Sequence, residues 1–130
     1  MNMREIKFRA WDVFKKKMDT FENYLDWCKE NDMETTPFHK TRRWILMQYT
    51  GLLDKSGFEI YEGDIVKELG FLPEPREEII KVVEWDSTRA GFLGKRISGT
   101  GFGVVIGEVI GNIYENPELL KTGGEHEDNR

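Results

Sequence analysis

The chain has 130 residues, 24 acidic against 19 basic side chains and a net charge of -5, with a mass of 15.3 kDa and a pI near 5.2. That size suits one domain that buries roughly two-thirds of its unfolded surface without staples, and the acidic balance disfavours a general nucleic-acid binder, whose affinity comes largely from clustered Lys and Arg. No apolar run approaches membrane-spanning length, no signal-peptide pattern opens the sequence, and Cys28 as the only cysteine excludes an intrachain disulfide and fits a reducing cytosol.

Arg4 to Trp11 alternate, with Ile6, Phe8 and Ala10 on one face and Lys7, Arg9 and Trp11 on the other, the period of a half-buried strand. Asp12 to Lys16 supplies a reversal, and Lys17-Met18 starts the return. The period then changes. Phe21, Tyr24, Leu25 and Cys28 fall at helical spacing, and Asp19 followed by Glu22 resembles a capping box, which predicts a short helix over Thr20 to Glu30. Asn31 to Thr41, with Pro37, reads as a loop. Trp44 to Tyr49 is a strand that Thr50-Gly51 ends. Asp54-Lys55-Ser56-Gly57 has the chemistry of a tight reversal, since Asp bonds the backbone ahead of it and Gly accepts a positive φ. Phe58, Ile60 and Tyr61 form the returning strand, Glu62-Gly63-Asp64 a second turn, and Ile65-Val66 the next strand. Gly51, Asp54, Gly57, Gly63 and Asp64 are therefore read as structural turn residues.

Glu68 to Glu77 holds Gly70, Pro73 and Pro75 and reads as a loop. Ile79 to Trp85 is a strand with Lys81 and Glu84 as its only polar members, so both faces are expected to be partly covered. Ser87 to Thr100 reads as a glycine-rich loop or weak hairpin. Phe102 to Ile113 is predicted to hold one or two strands, with Gly103, Gly107 and Gly111 marking bends, bulges or close backbone approach. Pro117 to Leu120 suits one helical turn, and Gly123 to Arg130 a polar tail. There is no internal repeat. Short strands, glycine turns and one inserted helix predict a mainly β fold, a small barrel or strongly bent antiparallel sheet, over residues 1–122 as one domain, with 123–130 as the tail. The EGDIV element followed by VVEW resembles the strand arrangement of SH3-like barrels, a likeness of fold that licenses no function.

Three blocks carry a family resemblance. They are Arg4 to Asp12 with Lys16-Lys17-Met18; Gln48 to Leu52 with Asp54, Gly57 and Glu59 to Val66; and Val109 to Leu120. In this order and spread they resemble the YopX-like proteins of bacteriophages and prophages. The resemblance implies a small, mainly β phage or prophage protein in a bacterial cytoplasm, and it brings no catalytic residues with it. Asp19 to Arg43 and Phe71 to Gly103 fit the family less clearly.

Enzyme motifs fail on inspection. In Gly99-Thr100-Gly101-Phe102-Gly103, Val104 stands where the last glycine of G-x-G-x-x-G belongs, and Gly94-Lys95 lacks the earlier P-loop glycine, a position held by Arg89. His39, His126 and Cys28 make no zinc site. Glu84 and Asp86 share a strand face and offer a distant hydrolase reading through Mg²⁺, but such pairs are more often solvated. Glu77-Glu78 and Lys81 miss the usual nuclease spacing. Cys28 on an apolar helix face reads as a buried, inert thiol. No cofactor, metal or catalytic role is expected.

Two readings remain. The first is a non-catalytic module that binds itself or an unknown phage or host protein. The second is a nucleic-acid-binding accessory protein, disfavoured by the net charge, using Trp11, Lys15, Lys16, Lys17, Arg42, Arg43 and Trp44 as a basic and aromatic candidate patch. Four Trp, eight Phe and four Tyr are more aromatic surface than a domain of this size readily hides, which predicts a homo-oligomer, and the lack of a membrane-spanning run predicts no membrane association.

Overall fold

The computed structural model describes residues 5–31, 43–69, 78–97 and 101–121. Strands β1 (Phe8–Asp12), β2 (Lys17–Thr20), β3 (Trp44–Leu53) and β4 (Glu59–Tyr61) form one antiparallel sheet in the order β2-β1-β3-β4. Strands β5 (Asp64–Leu69), β6 (Glu78–Asp86), β7 (Gly91–Arg96), β8 (Phe102–Gly103) and β9 (Glu108–Asn112) form a second, in the order β8-β7-β6-β5-β9. The fold is mainly β, with a sheet strongly curled into a half-barrel.

β1 alternates as its sequence requires, but both faces are covered. Phe8 packs on Phe21 and Ala10 joins the helix-side core, while Arg9 and Trp11 on the other face reach Asp64 of the second sheet and Tyr114 in the turn after β9. Expecting half-burial underestimated this strand because its second cover comes from residues more than 50 positions away. Helix α1 (Phe21–Glu30) lays Tyr24 and Cys28 against Ala10 and Trp44. Its N-cap is Thr20, whose hydroxyl accepts the Asn23 N–H at 3.1 Å, rather than Asp19 of the expected capping box. Asp19 instead accepts the Thr20 N–H and the Asn23 side-chain amide.

Three boundaries differ from expectation. β3 does not stop at Thr50-Gly51 but runs to Leu53, because Gly51 takes a φ of 92° within a register shift and the Thr50 hydroxyl bonds the Ile60 carbonyl across it. β5 continues through Glu68-Leu69, into the segment expected as a loop, since β6 pairs with it to the end. Ser87 to Thr100 holds a full strand, β7, paired over six residues with β6. Gly94 permits this: a Cβ there would sit 3.0 Å from the Lys81 side chain, which is buried and ion-paired to Glu68 at 2.6 Å. Pro117–Leu120 forms the expected helical turn, of 3₁₀ type. The loops expected over 32–41 and 70–77, the tail 123–130, His39, His126 and Arg42 lie outside the described residues.

The turn that passes from the first sheet to the second is held by specific bonds. The Gly63 N–H donates to the Val83 carbonyl, and the Ile113 N–H donates to the Gly63 carbonyl. Ile60, Val66, Val83 and Val105 form the second buried cluster beneath these contacts.

Candidate functional site

An open cleft of about 730 Å³ lies between β4 and β9, the outer strands of the two sheets. Three chain segments wall it: Arg9 from β1, Gly57, Phe58, Glu59, Tyr61 and Asp64 from the central hairpin, and Val109, Gly111, Asn112, Glu115 and Asn116 from β9 and the turn after it. Every lining residue except Phe58 lies in one of the three blocks that carry the family resemblance. Among the described residues no serine, cysteine or histidine lines it.

Local turn chemistry builds each wall. Asp54 Oδ1 accepts the N–H groups of Ser56 and Phe58, Gly57 takes a φ of 91°, and Asp54 Oδ2 reaches across to the Val109 N–H at 3.0 Å. One carboxylate thus shapes the hairpin and ties it to β9. The Val109 N–H, ahead of those of Phe58, Ser56 and Gly57, holds its carboxyl below the ordinary value. Across the cleft Asn112 Oδ1 accepts the N–H groups of Tyr114 and Glu115, and Asn116 Oδ1 accepts the Asn112 N–H. Gly111 is required by close approach, because a Cβ there would fall 2.5 Å from Asn116 Oδ1.

Arg9 sits at the floor. Its Nη2 donates to Asp64 Oδ1 at 2.8 Å and to the Glu62 carbonyl at 3.4 Å, and its guanidinium stacks on the Tyr61 ring at 4.6 Å. Nε is buried without a partner, and Nη1 makes no bond to the described residues. Asp64 also accepts the Tyr61 N–H at 2.7 Å, yet burial outweighs these partners and leaves its carboxyl above the ordinary value. Burial, followed by the nearby Glu59 charge, pushes the Tyr61 hydroxyl up. Glu59 is ion-paired with Lys7. The cleft therefore offers donors at Arg9 and Asn116, acceptors at Glu59 and Glu115, and the rings of Phe58 and Tyr61.

The basic patch is assembled differently from its sequence reading. Lys15, Lys16 and Lys17 are exposed at the β1–β2 hairpin. Arg43 stands behind it, bidentate to the buried Asp12 at 3.1 and 3.0 Å, with the Phe14, Trp27 and Trp44 rings around it. Trp11 and Trp44 are each only 8% exposed, so neither presents a face for stacking, and Phe14 is the exposed ring of this corner. Glu84 and Asp86 also part company. Asp86 caps its own hairpin through the Thr88 N–H and Arg89, and Glu84 lines a separate cavity. Among the described residues no three His, Cys, Asp or Glu side chains come together to hold a metal ion, and no helix is long and apolar enough to cross a membrane.

A family model described as YopX protein matches residues 7–121. The chain belongs to the YopX family. Its cleft is thus built from segments at both ends and the middle of the YopX match. Protein EF1440 from Enterococcus faecalis, a solved structure, is 26% identical over 91% of this chain and 99% of its own, with a TM-score of 0.57. No curated protein matched the chain. The likeness to EF1440 spans both sheets of this YopX protein and carries no activity in its name.

The sequence reading missed the cleft as a site. Asp54, Gly57, Gly63 and Asp64 were legible as turn formers, and they are, but the turns also place Phe58, Tyr61 and Arg9 opposite β9.

Proposed function

We propose that this YopX protein is a non-catalytic interaction module that holds an extended segment of a partner protein in the cleft between β4 and β9. The observation that carries this reading is the convergence of three distant segments on one open cleft whose described lining residues are mixed donors, acceptors and aromatic rings. An extended peptide presents alternating N–H and C=O groups, which suit Arg9 Nη1 and Asn116 as donors and Glu115 as an acceptor. Phe58, 65% exposed at the rim, supplies the kind of aromatic contact enriched at interfaces. We place the protein in phage or prophage biology within a bacterial cytoplasm, and we propose that it self-associates.

Affinity capture from an induced lysogen, read by mass spectrometry, tests the module. The wild type recovers a defined phage or host protein. Phe58→Ala, which removes an exposed ring and leaves the core intact, loses that partner without a change in melting temperature. Equal recovery by Phe58→Ala contradicts the cleft as the site. The nucleic-acid reading retains support from exposed Phe14 beside Lys15, Lys16 and Lys17. It requires binding that weakens steeply with salt and is lost in a Lys15→Gln, Lys16→Gln, Lys17→Gln variant.

A further inference from the structure

β4 and β9 are the outer strands of their sheets, yet the backbone around the cleft offers little to an added strand. The Phe58 N–H donates to Asp54 Oδ1 and the Tyr61 N–H to Asp64 Oδ2, while the Ile60 carbonyl accepts from the Thr50 hydroxyl. On the facing side the Val109 N–H donates to Asp54 Oδ2 and the Asn112 N–H to Asn116 Oδ1, and the Asn112 carbonyl accepts the Asn116 N–H. Strand addition draws its affinity from main-chain bonds to groups of this kind. Here they are already bonded within the chain.

The side chains divide unevenly. The acceptors are engaged. Glu59 takes the Tyr61 hydroxyl on Oε1 and Lys7 on Oε2, and Asp64 takes Arg9 on one oxygen and the Tyr61 N–H on the other. Glu115 Oε1 accepts the Asn112 side-chain amide, which leaves one oxygen on an exposed residue. The donors are not engaged. Arg9 Nη1 and Asn116 Nδ2 bond no described residue, and both are open to solvent. Arg9 Nη1 belongs to the guanidinium that stacks on the Tyr61 ring at 4.6 Å, so a donor and an aromatic face stand together.

We propose that the segment held in this cleft is proline-rich and lies there as a polyproline II helix, an inference that rests on the cleft reading above. Proline has a carbonyl and no N–H, so such a segment brings acceptors to Arg9 Nη1 and Asn116 Nδ2 and leaves few donors of its own unmatched. Its rings pack on aromatic faces, supplied by Tyr61 and by exposed Phe58. Its conformation has no internal hydrogen bonds and needs no strand partner. The free oxygen of Glu115 remains for a non-proline residue of the segment.

The test follows the amide resonances of the full chain by NMR, the Asn116 side-chain amide among them, during titration with two blocked and uncharged decapeptides, decaproline and alternating Thr-Gln. Saturable shifts over residues 57–61 and 109–116 with decaproline, and none with Thr-Gln, are expected. Asn116→Asp keeps an acceptor for the Asn112 N–H and removes the free donor, and Phe58→Ala removes a ring. Each should weaken decaproline binding about fivefold, as loss of one hydrogen bond or one aromatic contact predicts. Equal or tighter binding of Thr-Gln in the cleft would overturn the proline-rich segment and leave the cleft as the binding site. Decaproline shifts lying outside the cleft, or none at millimolar peptide, would overturn it too. Failure of the cleft itself shows separately, as unchanged partner recovery by Phe58→Ala in the capture experiment.

Discussion

Gly57 and Gly63 share a φ near 90° but stand in different surroundings. A Cβ on Gly57 meets open space, while one on Gly63 lies 3.0 Å from Met47 Sδ, and the Gly63 N–H and carbonyl are both bonded, to Val83 and Ile113. Gly57→Ala should therefore cost about 1 kcal/mol, the strain of a left-handed residue. Gly63→Ala should cost more, about 2–3 kcal/mol, as strain and crowding add. Urea denaturation of both variants measures the difference, and equal losses would refute the crowding. Asp12 and Asp64 give a second contrast. Burial pushes both carboxyls up. At Asp12 the Arg43 guanidinium and the Lys15 and Phe14 N–H groups outweigh it, and the carboxyl ends below its ordinary value; at Asp64 burial prevails. A carboxyl lowered by folding stabilises above its unfolded value, and that contribution is lost as pH falls through the folded value. A raised one contributes fully below the unfolded value and loses it as pH rises through the folded one. Between about pH 6 and about pH 2, Asp12→Asn should thus flatten the acid loss of stability and Asp64→Asn should steepen it. The turn roles of Asp54, Gly57 and Gly63 were legible because their chemistry is local. The Arg9–Asp64 and Arg43–Asp12 pairs were not, because 55 and 31 residues separate the partners.

Two hairpins are built alike. β1–β2 and β6–β7 each turn on four residues after an aspartate that accepts a backbone N–H two residues ahead. Each ends on a non-glycine at positive φ, Lys16 at 56° and Ala90 at 54°. Such a residue costs roughly 1–2 kcal/mol in that conformation, against about 0.4–1 kcal/mol of added chain entropy for glycine. Lys16→Gly and Ala90→Gly should each gain about 0.5–1 kcal/mol, seen as a higher urea midpoint. A loss in either would show that the turn relaxes out of the left-handed region. The first hairpin was visible from strand alternation. The second was read only as a loop or weak hairpin because β7 carries Gly91 and Gly94, which look like loop residues until Lys81 is placed beneath Gly94.

At the scale of the molecule, the mainly β class followed from short strands and turns, while the division into two sheets did not, since it depends on which strands lie at the edges. Those edges make the cleft. Exposed Leu52, Trp85, Phe102, Val104 and Ile106 remain as apolar surface, and self-association would cover such surface. Light scattering coupled to gel filtration should return a multiple of 15.3 kDa, and the monomer mass across a broad concentration range would reject assembly. The cleft between β4 and β9 is the proposed seat of partner binding. Hydrogen–deuterium exchange of the captured complex against the free protein tests it most directly. Slowed exchange over residues 57–61 and 109–116 is the predicted result; protection confined to the Lys15–Lys17 hairpin and Arg43, with the cleft unchanged, would contradict it.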